Sequence, residues 1–270
     1  MVLAVVGVIA VRLLNWTPDQ RPAPETAAAP LVVGDGRTVT LISLGGAATD
    51  PVLARVAGAI GPAVTAVEGF WGTDWSHEIL VVATGSDAQF AAQAGAAVGE
   101  RADIAAVAVA DEVDPSRGLV TGQRIVLAPG AAQMSDPALR IVLGHELFHY
   151  AARAATALDA PRWLTEGVAD YVGRPPGPVP PGDVATTALP SDAEFASAGV
   201  QLSTAYDRAW LFARFVADRY GPATLRLLYQ RVCGPGHTDP TTALREVLGA
   251  GPAEVLTSWQ HWLADQARHQ

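Results

Sequence analysis

Residues 135 to 155 read SDPALRIVLGHELFHYAARAA, and the fold turns on whether this run is a helix and on what its polar residues do. Ser135 can cap and Pro137 falls in the first turn, where the missing N–H of proline is harmless, so the stretch begins like a helix. Its interior, IVLGHELFHY (141 to 150), is apolar enough for a core, yet it carries His145, Glu146 and His149. On a helix the two histidines, four positions apart, share one face about one turn from each other and can ligate a single ion. Glu146 points beside that ion, the placement of a base that takes a proton from a water attacking a carbonyl. The plainer alternative is two histidines that satisfy hydrogen bonds in a core.

A catalytic zinc takes three protein ligands and keeps one position open, so a third ligand has to come from elsewhere. The next predicted helix, APRWLTEGVADYVG over 160 to 173, is opened by proline and closed by glycine. It carries Glu166, seventeen positions after His149. Two antiparallel helices joined by a short turn would return Glu166 to the histidines; otherwise it is a solvated helix charge. Gly167, next to it, suits a helix packed closely on its neighbour.

The combination of H-E-x-x-H with a downstream W-L-x-E-G-x-A resembles the gluzincin metallopeptidases, and within them the peptidase MA-like group of membrane-associated or secreted bacterial proteins. The resemblance spans roughly residues 37 to 232, with specific motifs only over 141 to 172. It implies an α+β, zincin-like fold in which a mixed sheet packs on the active-site helix and a mainly helical C-terminal half follows. It implies one Zn2+ ion held by His145, His149 and Glu166, with Glu146 as general base. It further implies that Asp170, one turn after the third ligand, hydrogen-bonds a ligand histidine, the support such histidines usually need. Gluzincins stabilise the oxyanion with a tyrosine or histidine from a later segment. Tyr206 is the candidate here, although it suits a core or surface position equally well, and His237 in CGPGHTDP (233 to 240) is a second. Tyr150 and Tyr171 read as packing residues.

Two departures bear on activity. The interval from the second histidine to the glutamate is slightly shorter than in aminopeptidase-type gluzincins, and no G-x-M-E-N stretch, the element that captures a free substrate amine, is present. Both put aminopeptidase activity in doubt and favour an endopeptidase or an unassigned hydrolase. The expected activity is zinc-dependent hydrolysis of peptide bonds in a peptide or protein substrate. The alternative is a membrane-tethered, non-proteolytic zinc-binding or assembly module on the same fold, against which Glu146 argues, since a structural zinc needs no base.

Outside the motif, RTVTLISLG (37 to 45), EILVVATG (78 to 85), IAAVAVAD (104 to 111) and RIVLAPG (124 to 130) read as strands. Of these, Arg124 to Pro129 resembles the substrate-binding edge strand of the family, with which an extended peptide would pair. PVLARVAGAIGPAVTAVEGFWG (51 to 72) has helical spacing, with Gly61 and Pro62 as possible breaks, and SDAQFAAQAG (86 to 95) is a short capped helix. DEVDPSRGLVTGQ (111 to 123) reads as a turn-rich connector and RPPGPVPPGDVATTALP (174 to 190) as a long irregular loop. Helices are expected within 191 to 198 and over 203 to 220, 222 to 232, 241 to 249 and 252 to 268. In the last of these Val255, Leu256, Trp259, Trp262 and Leu263 form a core stripe.

Composition excludes other classes. The 270 residues are 50% hydrophobic, ample for a large core, and a net charge of -9 with only 18 Lys and Arg argues against a nucleic-acid groove. Cys233, alone, can form no internal disulfide, zinc ribbon or redox pair. The apolar MVLAVVGVIAVRLL (1 to 14) reads as a signal-anchor-like segment, the competing reading being a hydrophobic helix that folds onto the domain; a Pro/Ala-rich linker over 15 to 36 and a zinc metallopeptidase-like domain over 37 to 270 follow. That domain divides into a sheet-containing half (37 to 133) and a helical half (134 to 270). Membrane association is the expectation, with the domain on the extracytoplasmic side. Arg12, near the downstream end of the apolar run, and Arg21, after it, pull the other way by the positive-inside bias, so the cytoplasmic orientation stays open.

Overall fold

The computed structural model describes residues 26–27, 30–95, 104–179 and 188–268. The apolar segment 1–14 lies outside them. Two short strands, β1 (Thr26–Ala27) and β2 (Leu31–Val33), pair antiparallel with β3 (Arg37–Ser43), so the later part of the stretch that reads as linker joins the sheet. In β3 every second residue is buried, the period of a strand with one covered face.

Helix α1 (Asp50–Trp71) connects β3 to the parallel strand β4 (Glu78–Ala83), with Leu41 opposite Val81. Its buried residues, Val52, Leu53, Val56, Ile60, Ala63, Val64, Val67 and Phe70, recur every three or four positions and form one apolar face. Contrary to the expectation of a break, the helix runs through Gly61 and Pro62. Pro62 is exposed, and Gly58, whose carbonyl loses its partner to the proline ring, is exposed as well, so the break in the hydrogen-bond ladder falls on the solvent side, where it costs least. Among the described residues α1 is the one helix long and apolar enough to cross a membrane. Its apolar face is covered by the sheet and by a later helix of the same unit.

Helix α2 (Asp87–Ala94) starts at Ser86, whose side chain accepts from the Gln89 N–H. After β5 (Ala106–Val109), the connector folds into a hairpin of β6 (Glu112–Asp114) and β7 (Leu119–Thr121), with Val113 opposite Val120. The turn is closed by Asp114, which accepts from Ser116, and by Gly118 at φ +63°, a conformation glycine adopts without strain. Strand β8 (Arg124–Leu127) pairs parallel with β4 on one side and antiparallel with β5 on the other. The sheet order is therefore β1-β3-β4-β8-β5, with β2 also on β3. This corrects the reading of Arg124 to Pro129 as an edge: β8 lies inside the sheet and β5 is the edge. The run Ile125, Val126, Leu127 is fully buried, the pattern of a strand covered on both faces. Helix α3 (Asp136–Ala152), capped by Ser135, packs on α1, β5 and β8.

The chain divides into two compact units, the first ending at Ala154 and the second beginning at Ala155, so α3 belongs with the sheet. The second unit is helical: α4 (Arg162–Gly173), α5 (Asp192–Phe195), α6 (Gly199–Tyr220), α7 (Pro222–Cys233), α8 (Pro240–Leu248) and α9 (Pro252–Arg268). The described parts of the proline-rich stretch, 174–179 and 188–190, carry no helix or strand. Helices α4 and α6 approach closely: a Cβ on Gly167 would stand 2.5 Å from the Ala209 carbonyl oxygen. In α9, Val255, Trp259 and Leu263 are buried, whereas Leu256 and Trp262 are only half-buried, which narrows the predicted stripe to one line of residues four apart. Trp259 meets Phe212 edge-on at 5.4 Å, while Trp262 lies under the Arg214 guanidinium at 5.5 Å.

Candidate metal centre

Helical geometry places the two histidines of α3 as their spacing demands. His145 Nε2 and His149 Nε2 stand 3.1 Å apart, with ring centroids at 4.7 Å. Two imidazole nitrogens on one tetrahedral zinc, each about 2.0–2.1 Å from the ion, would be about 3.3 Å apart. The pair is thus already at the separation that a shared ion requires. Both rings are buried, as is Glu146, and so are their α3 neighbours Leu139, Val142, Leu143, Leu147 and Phe148. Phe148 meets Phe70 and Trp71 of α1 edge-on at 6.0 and 5.6 Å.

Glu146 is held from the sheet. The Ala108 N–H of β5 donates to its Oε2 at 2.7 Å. Arg153, buried two turns further on in the chain, donates from Nη2 to the Ala108 carbonyl at 2.6 Å. Tyr150 packs as expected: its hydroxyl donates to the Glu78 carbonyl at 2.9 Å, and burial pushes its pKa up to about 12.

In the second unit, Glu166 and Asp170 are buried one turn apart on α4. Arg162, one turn before Glu166, donates from Nη2 to Glu166 Oε1 and to the Tyr206 hydroxyl, each at 3.4 Å. Its Nη1 reaches the Phe195 carbonyl at 3.2 Å, and its guanidinium lies 4.9 Å over the Phe195 ring. Tyr206 is 1% exposed, edge-on to Phe195 at 5.2 Å, so it is a core residue with its hydroxyl directed at Arg162. Asp170 faces Arg174 at 3.6 Å, and Arg174 also binds Asp207 at 2.8 Å. His237 pairs with Asp159 at 3.2 Å.

His145 and His149 are buried on α3 of the first unit, and Glu166 is buried on α4 of the second. Two imidazoles and a carboxylate match the donor set of a catalytic zinc site. Two neighbours went unread in the sequence. Arg162 stands four positions before Glu166 in PRWLTE, a helical ion-pair spacing that was there to be seen. The Ala108 amide is a backbone group 38 positions from its partner and leaves no mark in the sequence.

No family model matches the chain, and no curated protein matches it. Among solved structures, one that it is similar to is a mutant of an M1 zinc metallopeptidase from Deinococcus radiodurans, with a TM-score of 0.46 and 15% sequence identity. The alignment covers 89% of this chain and 52% of that one, so the chain spans about half the length of that structure.

Proposed function

We propose that this protein is a zinc-dependent peptidase of the gluzincin type, acting as an endopeptidase on a peptide or protein substrate. The observation that carries the reading is the pairing of His145 and His149 at 3.1 Å between Nε2 atoms, with both rings buried. His145, His149 and Glu166 would hold the ion, and a zinc ion bound there would supply Lewis acidity to a water and to the scissile carbonyl. Glu146, next in sequence to the first ligand, accepts the proton of the attacking water and returns it to the leaving amine. Asp170, which faces Arg174, is the proposed hydrogen-bond partner of a ligand imidazole. Tyr206 is the proposed donor to the developing oxyanion. Membrane association through residues 1–14 belongs to the same proposal, and rests on their apolar sequence.

Replacing Glu146 tests the reading directly. Glu146→Gln protein should retain one zinc per chain by elemental analysis and lose cleavage of a casein-derived peptide pool by about a hundredfold or more, the scale of a lost general base. Zinc-loaded wild-type protein that leaves every peptide of the pool intact would sink the peptidase reading and favour a zinc-binding assembly module.

A further inference from the structure

We propose that Ala108, through its backbone amide, is a positioning residue for Glu146, and that with Arg153 it closes the outer edge of β5 to strand addition by a peptide. The proposal rests on the peptidase reading for its catalytic half. The contact itself stands on geometry within one unit.

In β5, the Ala105 carbonyl accepts from the Ala128 N–H, and residues 106 to 109 pair in register with 127 to 124. In an antiparallel pair the hydrogen-bonding groups of alternate residues point to the partner and away from it. The odd-numbered residues therefore bond to β8, and Ala108 turns both its N–H and its C=O outward. A neighbouring strand would meet them with a carbonyl and an amide. Here α3 meets them with side chains instead, Glu146 Oε2 at 2.7 Å from the N–H and Arg153 Nη2 at 2.6 Å from the carbonyl. Glu146 and Arg153 are seven positions apart, two helical turns, so both reach the same strand from one face. The lengths are those of charge-assisted bonds, and Ala108, Glu146 and Arg153 are all buried, where such bonds are strong.

Two consequences follow. The Ala108 amide ties one oxygen of the Glu146 carboxylate to the sheet, and a base held still transfers its proton from a constant distance. A substrate can extend the sheet across Ala108 only by displacing both side chains. This differs from the strand pairing that the sequence suggests at Arg124 to Pro129.

The experiment is Ala108→Pro in the full chain. Proline removes the outward N–H and leaves the ladder to β8 intact, because Ala108 takes no part in it. With zinc bound at the wild-type level, kcat on the casein-derived pool should fall about tenfold or more while KM stays within about twofold. A raised KM with unchanged kcat would show that peptides add to this edge and would overturn the proposal, as would wild-type kinetics. Should the variant not fold, amide hydrogen exchange decides. In Glu146→Ala protein the Ala108 amide should lose its protection while Val107 and Val109, bonded to β8, keep theirs. An Ala108 amide that exchanges alike in both proteins overturns the contact, and this readout is independent of whether the wild type cleaves peptides.

Discussion

At the scale of single residues, the positions whose partners lie one helical turn away were legible and the others were not. His145 and His149 are four apart on a helix, so their shared face follows from the backbone alone. Gly167 looked like a close-packing position, but its reason sits on another helix: a Cβ would stand 2.5 Å from the Ala209 carbonyl oxygen. Gly167→Ala should force α4 and α6 apart and destabilise the protein by about 1–3 kcal/mol, read from urea denaturation. An unchanged midpoint would mean that the helices relax at no cost. Tyr206 shows the limit of such reading, since the sequence placed it near the start of a helix without saying whether it faced core or surface. The 1% exposure and the contact with Arg162 answer that question.

At the scale of elements, patterns with a period were read well and pairings were not. The apolar spacing of α1 located the helix, while Pro62 misled because its effect depends on whether water reaches the carbonyl it frees. β5 and the Ile125–Leu127 part of β8 are alike in sequence, short, apolar and fully buried. Nothing in their composition says which is the edge. Tyr150 joins α3 to β4 through the Glu78 carbonyl, and its phenol provides a pH probe of that joint. Burial holds its folded pKa at about 12, against about 10 in an unfolded chain. The folded state therefore binds the proton more tightly. Its stabilisation is complete below about pH 10 and is lost as the pH rises from about 10 to about 12, by on the order of 2 kcal/mol. In Tyr150→Phe protein that part of the stability-versus-pH curve should flatten; an identical alkaline fall in both proteins would place its origin elsewhere.

At the scale of the molecule, ion binding and folding are linked. A ligand that binds only the folded state stabilises by about 2.7 kcal/mol at a hundredfold excess over its dissociation constant. Zinc added to chelator-treated protein should raise Tm by several degrees, and His149→Ala should remove most of that shift; an equal rise in both would place the zinc at some other site. What the sequence determined by itself were the helices and the candidate ligands. Helical contacts are local, and His145, Glu146, His149 and Glu166 announce themselves by type and spacing. What only the tertiary structure decided were the interior place of β8 and the grip of Ala108 on Glu146. A strand's neighbours and a backbone amide's partner are fixed by chain segments far apart in sequence. Buried strands bear the same apolar residues whether or not another strand lies beside them.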